Sequence, residues 1–143
     1  MTTLVALRIV LAIVCAAHLI LGVIGFVSIP EVLTWAAGAF YGASVTLTPQ
    51  LQHVTRILGA FMLAIGILAA CAFRDPWKNR AIIDGIAVLQ LLRVSQRLLF
   101  AREIQEAFGV SSGRLYLQTA FFLALALVLF LLRPQPETTA GRR

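Results

Sequence analysis

The chain has 143 residues, of which 60% are hydrophobic and only 13% are charged. Soluble domains are typically about 25% charged, so this composition favours a membrane protein over a soluble domain. The net charge of +6 does not indicate a nucleic-acid-binding protein, because the basic residues are scattered at the ends of apolar runs. The lipid bilayer is the predicted partner of such a chain.

Four apolar runs dominate the sequence, at residues 4–29, 51–73, 77–101 and 114–132. Each approaches or exceeds the roughly 17–25 residues that a spanning helix needs. They also lack the periodic polar stripe of a soluble helical bundle. The sequence therefore predicts an all-α membrane protein in which one domain, residues 1–133, contains four transmembrane helices in an antiparallel bundle. Residues 134–143 are expected to form a disordered cytoplasmic tail.

The first span lacks the basic start of a signal peptide and is long for one, so we expect it to be retained. Its only histidine, His18, shares a helix face with Gly22 and Gly25. Because glycines let a neighbouring helix approach closely, this face is predicted to point into the bundle. Cys15 and Cys71, in the first and second spans, are expected about 10 Å apart in depth, too far for a disulfide.

The connection between the first two spans, residues 30–50, is rich in small and aromatic residues. Pro30 suits the first turn of a short helix, and aromatic residues such as Phe40 and Tyr41 suit a membrane–water boundary. We predict a short interfacial helix followed by a loop, with a small hairpin around Gly42 as the alternative.

The second span begins with a helix-start signal, because Thr48 can cap the first turn and Pro49 suits its first position. Gly59, Gly66 and Ala70 then form a stripe of small residues. Such a stripe suits close contact with another helix, so we expect a tight helix pair here.

The third span contains three ionisable residues, Asp84, Arg93 and Arg97, although it is long enough to cross a bilayer. The carboxylate of Asp84 is expected to pair with Arg80, four residues away. It cannot reach Arg93, which lies about 13 Å further along the helix and on the opposite face. Other helices, lipid head groups or a ligand must then satisfy the two arginines.

The segments on either side of the third span differ in polarity. Asp75 and Pro76 are predicted to start the third helix by capping its first turn. After it, residues 102–114 are expected to form the most water-compatible loop of the chain. Ser111 or Ser112 is predicted to cap the last helix.

The basic residues predict the orientation in the membrane. Four spans place both termini and the turn before the third span on one side, and that side carries seven basic residues: Arg8, Arg74, Lys78, Arg80, Arg133, Arg142 and Arg143. The loops of the other side carry only Arg102 and Arg114. Because cytoplasmic loops are enriched in Lys and Arg, both termini are predicted to be cytoplasmic, in a bacterial inner membrane.

With this orientation, polar residues gather at the midplane and in the outer half of the bundle. They form the candidate ligand-binding site: His18, His53, Arg56, Gln90, Arg93, Gln96 and Arg97. One interpretation is that the arginines reach outer head groups with their long side chains. The other is an outward-opening basic pocket for a polar or anionic head, with apolar helix walls around a hydrophobic body.

Signals of catalysis or of metal binding are weak. The chain has no CxxC, HExxH, GxSxG or phosphate-loop motif, and no carboxylate pair in its spans, so an enzyme is not favoured. Haem held by two histidines needs both imidazoles at one level, but His18 and His53 are expected about 12 Å apart in depth. No metal and no cofactor is predicted; quinone, or haem on His18 alone or between subunits, stays as the alternative.

Several short motifs carry a family resemblance. They are Arg56-x-x-Gly59-Ala60 at the start of the second span, small residues through Gly66, the turn at residues 74–76, and a third span that ends in arginines. Together they resemble the DoxX-like group of small four-helix bacterial membrane proteins, and its BphX-like branch in particular. The resemblance covers residues 50–133.

That resemblance implies a four-helix fold and a role near oxidative or aromatic-degradation functions. Some members resemble a small membrane subunit of a quinone-linked thiosulfate oxidoreductase, and many have no assigned activity. The resemblance assigns no catalytic residue. Only Arg56 and Gly59 match positions that recur in the group.

The sequence therefore favours a non-enzymatic membrane protein, either an accessory subunit of a membrane oxidoreductase or a protein that binds a small lipophilic molecule. Its candidate protein partners are a membrane oxidoreductase or further copies of the chain in a homo-oligomer. The alternatives are a quinone- or haem-binding redox subunit and a small carrier. A carrier would have to act as an oligomer, because four spans without internal repeats do not make a pathway.

Overall fold

The computed structural model describes residues 2–135, and every regular element in that range is helical. The helices are α1 (Thr2–Val27), α2 (Pro30–Ala36), α3 (Pro49–Arg74), α4 (Arg80–Leu99), α5 (Ala101–Phe108) and α6 (Ser112–Leu132). A π-helical turn, Ala37–Tyr41, continues α2. Residues 136–143 of the predicted tail lie outside the described residues.

Three helices are long and apolar enough to cross a membrane, namely α1, α3 and α6. Helix α4 is long enough at 20 residues, but it carries four charged side chains and is too polar to qualify by composition. The fold is therefore all-helical with three candidate spans, and the fourth predicted span is the charged helix α4.

Two predicted helix caps are present. The Thr48 hydroxyl accepts a hydrogen bond from the backbone N–H of Leu51 at 3.2 Å, at the start of α3. The Ser111 hydroxyl accepts one from the backbone N–H of Arg114 at 3.4 Å, at the start of α6. Each cap satisfies one of the backbone donors that a helix leaves free in its first turn.

The predicted start of the third helix was wrong. The carboxylate of Asp75 accepts a hydrogen bond from the backbone N–H of Lys78 at 3.1 Å, and so it caps a separate turn. The Asn79 amide closes that turn by donating to the Cys71 and Asp75 carbonyls. Helix α4 begins only at Arg80, three residues later than predicted.

The predicted loop after the third span was also wrong in part, because it contains the helix α5. Ile104 and Phe108 are four residues apart and share one face of α5, while Arg102 and Glu106 form an exposed ion pair on another face, at 2.7 Å. Gly109 ends the helix with a φ of +65°, a conformation that glycine adopts without strain.

Helices α1 and α3 form the tightest pair, antiparallel and in contact through glycines. A Cβ at Gly59 would collide with the backbone of Phe26, and one at Gly66 would lie 2.7 Å from the side chain of Leu19. The predicted close contact along these small-residue faces is therefore confirmed.

The register of this pair corrects the depth of Cys15 relative to Cys71 that was predicted from the sequence. Gly22 lies against Leu63, and Leu19 lies against Gly66, so Cys15 falls close to the level of Cys71. The expected separation in depth was wrong, because counting from predicted span ends missed the true offset of α1 against α3. Both thiols are nevertheless free.

Helices α4 and α6 form a second antiparallel pair. The Arg133 guanidinium, just beyond α6, donates to the carboxylate of Asp84 at 2.7 Å. The predicted ion pair between Arg80 and Asp84 is present but longer, at 4.0 Å. We call this end of the bundle the Asp84 end. Arg133 is the nearer partner there because α6 brings it beside α4, which the sequence pattern does not indicate.

The two helix pairs share a common core toward the Asp84 end. It is formed by residues of α1, α3, α4 and α6: Leu7, Leu11, Val14, Ala69, Ala72, Ile83, Ile86, Ala87 and Leu129. The opposite end, which we call the Tyr41 end, carries the π-helical turn and α5. There the backbone N–H of Ser44 donates to the Phe108 carbonyl at 2.8 Å, joining the two connections.

Candidate ligand-binding site

A cavity of about 690 Å³ lies between α1 and α6 on the Tyr41 side of the common core. Its walls are largely apolar and include Val14, Leu21, Met62, Phe121 and Leu125. Pockets of this size and character are typical of small-molecule sites, which combine apolar walls with a few placed polar groups. The polar side chains of this cavity are His18 of α1, Gln90 and Arg93 of α4, Gln118 of α6 and Tyr41 of the π-helical turn.

The first polar group is His18, which is 4% exposed. Its Nδ1 lies 2.8 Å from the Val14 carbonyl and therefore carries the hydrogen of that bond. Nε2 is then left with its lone pair, and it accepts from Nη2 of Arg93 at 3.3 Å. His18 thus orients the Arg93 guanidinium from across the bundle.

The second polar group is Gln90, which is fully buried. Its Oε1 accepts from Nη1 of Arg93 at 3.3 Å, but its Nε2 has no hydrogen-bond partner. A buried amide NH₂ without a partner is unfavourable by about 1–3 kcal/mol, so polar side chains in this state are rare in folded proteins. Gln90 lines the cavity, where an acceptor on a bound molecule can complete its hydrogen bonding.

Two guanidinium groups stack on one aromatic ring beside these residues. The Arg93 and Arg97 guanidinium carbons lie 5.4 and 4.6 Å from the centroid of the Phe122 ring. Such cation–π contacts stabilise a cation that has left water. Among the described residues, the ion pairs use the carboxylates of Asp84 and Glu106, so neither of these arginines has an acidic partner.

A smaller cavity of about 270 Å³ lies next to the first, beneath α5. Ile104 and Phe108 of α5 line it, together with Gln96 and Arg97 of α4. Tyr41 and Gln118 line both cavities and separate them. The Gln118 amide donates to the carbonyls of Phe40 and Tyr41 at 3.2 Å, which holds the π-helical turn against α6.

The structure brings together some of the seven predicted site residues. His18, Gln90 and Arg93 meet at the larger cavity, as one hydrogen-bonded group. Gln96 and Arg97 line the smaller cavity. The predicted residues that line cavities are thus those of α1 and α4.

His53 and Arg56 do not join this site; both are exposed, and neither lines either cavity. Met62 is the residue of α3 that reaches the larger cavity. At about 100° of rotation per residue, Arg56 lies roughly 120° and His53 roughly 180° around the helix from Met62. Their depth suggested a shared site, but their helix faces point elsewhere.

Sequence reasoning did not include Tyr41, Gln118 or Phe122 in the site. Gln118 gave a usable signal, because it is one of very few polar residues in the last apolar run. Phe122 gave none, since it is one of many aromatic and aliphatic residues of α6 and only the packing of α4 selects it.

The geometry does not favour haem or a metal ion. Both ring nitrogens of His18 already have partners, so an iron would have to displace Arg93. The α1–α3 register also places His53 roughly 20 Å along the axis from the level of His18. Within residues 2–135, no group of three or more His, Cys, Asp or Glu side chains is arranged to hold a metal ion.

No family model, curated protein or solved structure matches this chain. The chemistry of the site is therefore argued from its own residues.

Proposed function

We propose that this chain is a small integral membrane protein that binds a lipophilic molecule with a polar head in the larger cavity. The observation that carries the proposal is the fully buried Gln90, whose Nε2 has no partner and which lines an apolar cavity beside Arg93. A bound polar head supplies the missing acceptor, and the apolar walls take the rest of the molecule.

The proposal includes α4 as a fourth transmembrane helix in an antiparallel bundle. Its charged residues have partners inside the protein: Asp84 binds Arg133, while Arg93 and Arg97 lie against His18 and Phe122. Intramembrane charges are tolerated when they are paired, as Asp84 is, or when they face the bundle interior or a cavity, as Arg93 and Arg97 do. We further propose a bacterial inner membrane with both termini in the cytoplasm, because the described residues at the Asp84 end include five basic ones: Arg8, Arg74, Lys78, Arg80 and Arg133.

In this proposal the protein is not an enzyme; it holds or hands over its ligand alone, as a homo-oligomer or as an accessory subunit of a membrane oxidoreductase. The resemblance to the DoxX-like group supports the oxidoreductase context. A quinone-binding redox subunit is the second candidate, favoured because the donors of Gln90 and Arg93 also suit a quinone carbonyl.

The test is to ask whether a molecule occupies the cavity. The protein is purified in mild detergent, and small molecules that remain bound are identified by mass spectrometry. A second preparation carries Ala17→Trp, which puts an indole into the cavity because Ala17 lines it. We expect a lipophilic molecule that accompanies the unchanged protein and is lost from this variant.

Ala16→Trp is the matched control, because Ala16 is also an exposed residue of α1 but does not line the cavity. This variant should retain the molecule. An identical set of bound molecules in all three preparations would contradict the proposed function.

A further inference from the structure

Where His18, Gln90 and Arg93 line the larger cavity, most of the unused hydrogen-bonding groups are donors. Nε2 of His18 and Oε1 of Gln90 each accept one N–H group of Arg93. What remains is a set of donors: two on the Gln90 amide and three of the five N–H groups of Arg93. A molecule that binds at Gln90 and Arg93 must therefore offer acceptors, while Tyr41 and Gln118 supply the other polar groups of the cavity.

The charged side chains of the site are positive. None of the acidic residues within the described part of the chain lines either cavity. Arg93 and Arg97 are therefore two cations without a carboxylate, held by the ring of Phe122 and by hydrogen bonds to neutral groups. Intramembrane cations are normally paired, so this wall has room for an anion.

The depth of the donors limits the size of the anionic head. His18 lies nine residues before the end of α1 at Val27, which is about 14 Å along the helix. A head bound to Arg93 therefore lies about that far from the end of α1. A compact head with two oxygens suits this position better than a phospholipid head, which stays near the membrane surface.

We infer that the ligand of this cavity is a carboxylate amphiphile, such as a free fatty acid. Its carboxylate binds the Gln90 amide and the Arg93 guanidinium, and its chain lies along the apolar wall between α1 and α6. This inference rests on the proposed function and names the class of its ligand. Arg–carboxylate pairs in a water-poor site are among the stronger polar contacts in proteins.

The test uses the full chain in phosphatidylcholine nanodiscs and hexadecanoic acid that carries a photoreactive diazirine. Crosslinks are mapped by mass spectrometry, and unlabelled competitors are added at equal mole fractions in the membrane. We expect crosslinks on α1 and α6 that hexadecanoic acid suppresses and that hexadecanol, its methyl ester, decylubiquinone and phosphatidylglycerol do not. Equal suppression by any of these four overturns the inference of a carboxylate ligand.

Two variants test the contributions of Arg93 and Gln90 separately. Arg93→Gln should weaken competition by hexadecanoic acid roughly tenfold or more, because it removes a charge-assisted contact. Gln90→Met keeps the size of the side chain, and it should weaken competition by hexadecanoic acid several-fold, while hexadecanol should still fail to compete. Arg56→Gln is the matched control, since Arg56 is exposed and lines neither cavity; its competition curve should equal that of the unchanged protein.

The possible outcomes distinguish a failure of this inference from a failure of the proposed function. Crosslinks in the cavity that respond equally to the acid and to the alcohol refute the carboxylate and leave a lipophile-binding protein. Crosslinks that are absent from the cavity, or unchanged by Ala17→Trp, refute the carboxylate ligand, and the proposed function fails as well if the purified protein and both tryptophan variants carry the same bound molecules. If Arg93→Gln does not fold, Gln90→Met alone decides, and unchanged competition in that variant overturns the inference.

Discussion

Nη2 of Arg93 lies 3.3 Å from Nε2 of His18, although the two residues are 75 positions apart in the chain. This contact joins α1 to α4 across the larger cavity. It also fixes the Arg93 guanidinium, which makes a further hydrogen bond to Gln90 and stacks on Phe122. The contact therefore links the stability of the bundle to the shape of the candidate site.

The loss of this acceptor should destabilise the protein. His18→Phe leaves a buried N–H of Arg93 without a partner, and we expect a loss of about 1–3 kcal/mol in the free energy of unfolding. His18→Gln should lose clearly less, because its side-chain oxygen can still accept from Arg93. Thermal unfolding in detergent compares the two variants, and equal loss in both would mean that only the packing of the ring matters.

The close approach of α1 and α3 predicts a strong effect at Gly59. Gly59→Ala places a methyl group against the backbone of Phe26, which cannot move aside as a side chain can. We expect the overpacking to destabilise the protein by about 1–3 kcal/mol. Gly85→Ala is the matched control within a helix, since a Cβ there meets no atom within 4 Å; it should be neutral or slightly stabilising. Similar unfolding temperatures for both variants would speak against the tight pair.

The Asp84–Arg133 contact should couple α4 to α6. A double-mutant cycle with Asp84→Asn and Arg133→Gln is expected to give a coupling of about 1–2 kcal/mol, because the pair is partly buried and only 2.7 Å long. The Arg102–Glu106 pair is exposed on both sides, and its cycle should give less than about 0.5 kcal/mol. Equal couplings in the two cycles would show that solvent screens the first pair as well.

The proposed orientation predicts which connections face the outside of the cell. In a chain with Cys15→Ala and Cys71→Ala, Glu103→Cys should react with a membrane-impermeant maleimide on intact cells, and Lys78→Cys should react only after permeabilisation. Both side chains are exposed, so access alone decides the result. The reverse pattern of labelling places the termini outside and moves the cavities to the cytoplasmic half.

The local features of the fold could be predicted from the sequence. Apolar runs set the long helices, and Thr48 and Ser111 cap them, because hydropathy and capping depend on residues that are near in the chain. The glycine face of α1 was predictable for the same reason. Helix α5 and the late start of α4 were not predicted, since polar residues suit a short amphipathic helix or a turn as well as a loop.

The sequence by itself thus determined that the chain is helical, apolar and held together by close helix contacts, and that His18 faces inward. Only the tertiary structure decided which polar residues meet. The rotation and register of each helix follow from packing against its neighbours, and glycine faces allow that packing to be tight. For this reason Arg93 meets His18 and Gln90, while Arg56, at a similar predicted depth, points away from the cavity.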